Sequence, residues 1–340
     1  MREINLNLMT LYADLLQRSE DPTPWQGYVA RKTIGGKVHL YITQRGTRKQ
    51  TYLGPQSNPK VAAKASAIQR LQSYRRTVSV LKRARIPSPS TAFGRMLEVL
   101  ADAGIFRSGA VLVGTVAYQI YPCVIGKFLS SSALQTQDAD IALKAKCFEG
   151  GESLELVLQR ANPSFKGRPS MYSQWPKTFE AKDGLSLDVL TPGHGKKAVR
   201  VRSLECSAQQ VRGLEYLIED PLEAIALYGA GVPVRVPQPA RYAVHKLIVA
   251  SRRKVDEQRA AKEILQSREL FEGFEKADLA DAIQKVGKQK ATKDILQARE
   301  LFEALEKADL ADAIQDARRR GPSWRKAVDA GLKRAGLGAA

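Results

Sequence analysis

The sequence predicts an α+β protein: a mixed β-sheet core with helices, preceded by a small antiparallel β module and followed by a helical domain. Three observations predict it. Short apolar runs at 110–113, 136–143 and 185–192 read as strands separated by helical patterns. Alternating residues around Gly35-Gly36 and Arg45-Gly46 read as hairpins. Beyond about residue 238 the apolar spacing is helical and contains an internal duplication.

The chain opens with an amphipathic pattern over 6–18. Residues 27–55 then predict a three-stranded antiparallel sheet carrying Arg31, Lys32, Lys37, Arg45, Arg48 and Lys49, interleaved with Tyr28, Tyr41 and Tyr52. Cations for a phosphate backbone and aromatics for stacking suit such a sheet to nucleic acid. A solvated hairpin whose tyrosines pack on the next helix is the other reading. An isolated sheet this small needs a helix to pack on, and 60–86 supplies one rich in Lys and Arg. Pro87-Ser88-Pro89-Ser90 reads as a linker and helix cap, so the expected domains are 1–87, 88–237 and 238–340.

In the core, the strand at 110–113 runs into Gly114-Thr115, which open a helical pattern. A glycine there lets backbone approach a phosphate, and a helix start offers free N–H groups. Asp138 and Asp140 follow in TQDADIAL; two apart on a strand, they share a face. Side by side they repel, which favours a cation between them. Magnesium fits, being held by one or two carboxylates and by substrate phosphates. Asp188 interrupts the apolar strand LSLDVLTP, where an unpaired charge is costly. If that strand lies beside the first, three carboxylates converge into a metal site.

The helical pattern 239–254 offers Lys246, Arg252 and Arg253 as candidate cations for a triphosphate, or as a solvated basic face. The turn at 191–197 is basic and close to Asp188, and reads as a plain loop or as a contact to phosphate or acceptor. Three histidines and three cysteines show no zinc-ligand spacing, and no Walker A sequence is present. Residues 262–284 match 293–315 at a period of 31, differing at four of 23 positions: Glu263/Asp294, Ser267/Ala298, Gly273/Ala304 and Phe274/Leu305. Each copy predicts a helical hairpin whose second helix starts with Asp278 or Asp309 as N-cap. Residues 321–334 predict one more basic helix.

The chain of 340 residues is 44% hydrophobic, which is material for two or three domains. Widely spaced cysteines and the lack of a secretory signal or an apolar run of roughly eighteen residues point to a cytoplasmic protein. The net charge of +19 favours a polyanionic partner.

The strand–Gly114-Thr115–helix, the Asp138-Ala139-Asp140 strand and the later Asp188 resemble the polymerase-beta-type nucleotidyltransferase superfamily. VLVGTVAYQIY, TQDADIAL, LSLDVLTP and VPQPARYAVHKLIVASRR resemble more closely the bacterial nucleotidyltransferase-like family termed GSLN-type or NTP_transf_8, from about 92 to 253. Thr115 stands where the superfamily has Gly or Ser, and the gap from Gly114 to Asp138 is longer than usual there. The resemblance implies a nucleotidyltransferase-type core and Mg2+- or Mn2+-dependent transfer of a nucleoside monophosphate from an NTP to an RNA, protein or small-molecule acceptor. It implies Asp138, Asp140 and Asp188 as metal-holding and catalytic, and Gly114 and Thr115 as NTP-binding. In related families a Lys-Asp pair at a helix start supports the site; Lys293-Asp294 keeps it, while Lys262-Glu263 holds the expected position. Two alternatives differ in class: a nucleic-acid binder on an inactive scaffold, and one member of a toxin–antitoxin or defence pair with a protein partner.

Overall fold

The computed structural model describes residues 2–17, 28–43, 50–129, 138–145, 148, 152–168, 174–249 and 293–337. The sheet expected at the amino end forms from β1 (Tyr28–Ile34), β2 (Lys37–Thr43) and β3 (Gln50–Pro55), antiparallel in that order. Gly35 and Gly36 both take positive φ, as a two-residue hairpin of this hand requires. Helix α2 (Pro59–Arg83) starts where Asn58 accepts the Lys60 N–H at 3.0 Å with Pro59 in the first turn. The sheet rests on α2: a Cβ at Gly54 would lie 2.7 Å from the Val61 side chain, and Leu40, Ile42 and Ile68 are buried. The register separates the cations. Lys32 lies opposite His39, whereas Arg31 lies opposite Leu40 and so belongs to the other face.

The first helix, α1 (Leu6–Gln17), packs elsewhere. The Tyr12 hydroxyl accepts the Ile225 N–H at 2.9 Å, and Tyr12, Leu15, Val78, Leu81 and Ile225 share a buried cluster. Helices α1 and α2 are thereby joined to the hairpin of the later strands 222–226 and 232–236.

Helix α3 (Thr91–Asp102) is capped by Ser90, whose Oγ accepts the Phe93 N–H. Then come β4 (Val111–Val113), the one-turn helices α4 (Gly114–Tyr118) and α5 (Tyr121–Ile125), β5 (Asp138–Ala142) and α6 (Leu154–Ala161). The short strands β6 (Lys166–Gly167) and β7 (Thr178–Glu180) lead to β8 (Ser186–Pro192), β9 (Val199–Val201), β10 (Cys206–Val211) and α7 (Leu214–Leu217). The sheet is ordered β4-β5-β8-β10-β9, with β7 also paired to β8. Strand β5 is parallel to β8 and antiparallel to β4, which makes the sheet mixed. Burial alternates along it: Ala139, Ile141, Leu187 and Val189 are at most 1% exposed, while Asp138, Asp140 and Asp188 occupy the intervening positions.

The hairpin β11 (Leu222–Ala226) and β12 (Val232–Val236) precedes helix α8, described over 239–249. Helix α9 (293–304), α10 (Lys307–Arg319) and α11 (Pro322–Ala335) close the fold. They dock firmly: Tyr216 donates to the Ala313 carbonyl at 2.8 Å, its ring meets Trp324 edge-on, and Gly331 lies against Leu247 so closely that a Cβ would meet its backbone oxygen at 2.7 Å. Helix α10 corrects one expectation. Its cap is Glu306, so Asp309 sits inside the first turn, where its charge favours the dipole but cannot cap. The first copy of the duplication lies outside the described residues. Cys123 and Cys206 are buried free thiols, as packing residues would be.

Candidate active site

The site begins where β4 gives out. Gly114 turns the chain at φ +69°, and a Cβ there would lie 2.4 Å from Asp140 Oδ2. Only a residue without a side chain fits between the turn and this carboxylate. Val113 pairs with Asp140 across β4 and β5, and Asp140 pairs with Asp188 across β5 and β8. The two acids therefore sit next to each other on adjacent strands.

Each outer carboxylate is held by a hydroxyl. Ser186, opposite Asp138, donates to its Oδ1 at 2.7 Å, and Thr178 on β7 donates to Asp188 Oδ1. Asp140, more enclosed, is pushed up to about 6 by burial and by the charges of Asp188 and Asp138, with Lys246 acting against them. Among the described residues, no three His, Cys, Asp or Glu side chains are grouped to hold a single metal. Like charges repel, and a hydroxyl from a neighbouring strand holds each of Asp138 and Asp188.

The wall opposite is supplied by α8 and α9. Lys246 pairs with Asp294 at 2.8 Å, and both side chains are largely buried. Lys293 donates to Thr115 Oγ1 at 3.0 Å. Tyr242, buried and kept protonated by burial and by Asp294 and Asp140, donates to the Gly114 carbonyl at 2.9 Å, with Gln297 Oε1 3.4 Å away. Tyr118 donates to Glu300 Oε2 at 2.6 Å. Lys293, Asp294, Gln297 and Glu300 line one side of α9, where Lys293 and Glu300 hold the Gly114–Tyr118 turn and Asp294 and Gln297 hold α8. Helix α4 is only five residues long, so backbone and the Thr115 hydroxyl, not a long helix dipole, are what the turn offers a phosphate.

The structure thus brings together Asp138, Asp140, Asp188, Gly114, Thr115 and Lys246. Arg252 and Arg253 lie outside the described residues, as do Arg45, Arg48 and Lys49. Arg31, Lys32 and Lys37 belong to the amino-terminal sheet, where the Lys32 ammonium lies 4.7 Å from the centre of the Tyr41 ring. Sequence reasoning missed Ser186, Thr178, Tyr242, Gln297 and Glu300. The spacing of Tyr242 and Lys246, one helical turn apart, was the available signal for the first wall.

A nucleotidyltransferase family model, that of NTP_transf_8, matches residues 91–289, more than half of the chain. The chain belongs to that family. No curated protein and no solved structure compared with it matches. The match ends before residue 293 and so takes in the first copy of the duplication, whereas the copy seated against this nucleotidyltransferase's Gly114 turn is the second. Among the four differences only Asp294/Glu263 falls on a residue bonded to the site.

The second copy supplies these bonds, so the first is not needed for them. Deleting 262–292, a full period, leaves the twelve residues 250–261 to reach Lys293, a span of up to about 40 Å. The deleted chain is expected to melt within about 0.5 kcal/mol of the parent and to retain its transfer activity. Thermal denaturation beside an activity assay checks this; lost activity would mean that the first copy contributes.

Proposed function

We propose that this nucleotidyltransferase transfers a nucleoside monophosphate from an NTP to an acceptor hydroxyl, releasing pyrophosphate, with a divalent cation, Mg2+ or Mn2+, at Asp138, Asp140 and Asp188. Nucleotidyl transfer as such follows from the family. The observation that carries the finer reading is the pairing of Asp140 with Asp188 beneath a glycine that admits no side chain.

The residues fit such an ion. All the donors are hard oxygens; burial first, and then the repulsion of Asp188 and Asp138, pushes Asp140 up to about 6, and a cation would relieve that repulsion. Magnesium takes one or two carboxylates and fills its shell with water and phosphate, so the lack of a three-acid cage suits it. When bound, the ion neutralises phosphate charge and lowers the pKa of the attacking hydroxyl. Asp188, steadied by Thr178, is the group placed to take that hydroxyl's proton. Thr115 and the Lys293 ammonium beside it would meet the triphosphate, and Lys246 adds positive charge close to Asp140. Tyr242 holds the Gly114 carbonyl and so steadies the turn that would face the phosphates.

Transfer of label from each of four α-labelled NTPs, with Mg2+ or Mn2+, into total RNA and into the protein itself tests this reading. Label that requires both cation and intact Asp138 and Asp140 supports it and names the acceptor class. Tight RNA binding without label would favour the inactive-scaffold reading instead.

A pH dependence follows from Asp140. Its folded-state pKa lies above the ordinary value of 3.8, so the fold disfavours the charged form. The metal-free protein is therefore expected to lose stability as pH rises from about 4 through about 6. Mg2+ competes with the proton, so thermal stabilisation by Mg2+ is expected at pH 7.5 and is lost as pH falls through about 6. Melting curves across this range, with EDTA or Mg2+, check both signs.

A further inference from the structure

Away from the carboxylates, α2, α3 and α6 border an open groove of about 1160 Å3. Arg75, Lys82 and Arg83 line it from α2, Arg95 from α3 and Arg160 from α6. Lys82 and Arg83 lie seven and eight residues beyond Arg75, about two helical turns, which returns them to the same side of α2. Arg160 is also paired with Glu152. Two carboxylates, Glu98 and Asp102, stand among these cations, and Tyr28, half exposed, is at the rim.

We propose that this groove binds a single strand of RNA as the acceptor of transfer, and as an acceptor site it rests on the transferase reading. Five cations stand against Glu98, Asp102 and the Glu152 that pairs with Arg160, which leaves the groove net positive and suited to a polyanion. A duplex presents a convex surface that a concave slot of this size cannot admit, whereas a strand with unstacked bases can enter it. Tyr28 offers a ring on which a base stacks, and it shares a strand face with Lys32, which continues the positive charge outward. The carboxylates distinguish RNA. Either would repel a phosphate, but each can accept a hydrogen bond from a 2′-hydroxyl, the group by which proteins tell RNA from DNA. The Ser79 and Thr91 hydroxyls in the same lining can donate to it.

The test is fluorescence anisotropy of a labelled twelve-nucleotide RNA, the DNA of the same sequence and an RNA duplex, titrated across a salt series in EDTA without NTP. The full-length parent is compared with Lys82→Gln/Arg83→Gln/Arg95→Gln and with Tyr28→Ala, with circular dichroism to confirm folding. All four residues are exposed, so the substitutions leave the core intact. The triple variant is expected to flatten the slope of log K against log salt by about 2, roughly 0.7 for each lost phosphate contact. Tyr28→Ala is expected to weaken binding roughly five- to a hundredfold. Unchanged slope and affinity in both variants overturn the groove, and equal or tighter binding of DNA or duplex overturns the assignment to single-stranded RNA. Because no NTP or metal is present, binding without transfer counts against the transferase reading alone. Transfer with binding indifferent to these residues counts against the groove alone.

Discussion

Asp140→Asn is expected to lower nucleotidyl transfer by a hundredfold or more while making the metal-free protein more stable at pH 7.5. Both halves come from one carboxylate. In the folded protein Asp140 carries a charge that burial and two neighbouring aspartates disfavour, so a neutral isostere relieves the fold. In catalysis the same charge holds the cation against phosphate, and losing such an electrostatic contact costs about 3 kcal/mol or more of transition-state stabilisation. Asparagine keeps the shape under Gly114, so the packing of the turn is not disturbed. Transfer assays and melting curves in EDTA separate the two effects. A variant that is less active and also less stable would mean that Asp140 is mainly a structural group. One with parental activity would remove it from the site.

Gly114→Ala is expected to be nearly as damaging, and for a different reason. The added methyl would sit 2.4 Å from Asp140 Oδ2, and the backbone holds φ +69°, which costs an L-residue about 1–2 kcal/mol. Relief requires either the turn or the carboxylate to move. Moving the turn strains the Tyr242 bond to the Gly114 carbonyl and the Lys293 bond to Thr115; moving Asp140 spoils the cation site. Transfer should fall by at least tenfold, and stability by about 1–3 kcal/mol. Since both substitutions act through one contact, Gly114→Ala/Asp140→Asn should lose less activity than the product of the single losses. A double-mutant cycle measures that coupling, and strict additivity would show that the glycine serves something else.

Much of the fold could be read from the chain because local rules and tertiary packing agree there. The alternation that puts Asp138 and Asp140 between buried Ala139 and Ile141 is the strand period itself, and Gly114 stands where an apolar strand must turn. The Gly35-Gly36 hairpin, the Asn58 and Ser90 caps and helix α11 follow from equally local chemistry. What could not be read is long-range. Lys293 reaches Thr115 across 178 residues and Glu300 reaches Tyr118 across 182. Two nearly identical copies give no local ground for choosing which one docks, and the structure seats the copy carrying Asp294. Thr178 comes from a three-residue strand too short to show a pattern, and Ser186 meets Asp138 only through a strand register that its own strand does not specify. Adjacency of strands puts Asp140 beside Asp188, but the hydroxyls that hold Asp138 and Asp188 come from neighbouring strands.

The most direct measurement is pyrophosphate release from each NTP by the parent and by Asp140→Asn, in Mg2+ and in EDTA, with total RNA as acceptor. Release by the parent in Mg2+ only, with the variant at or near background, is the expected result. Equal release by parent and variant, or release that persists in EDTA, would contradict a cation-dependent centre at Asp140.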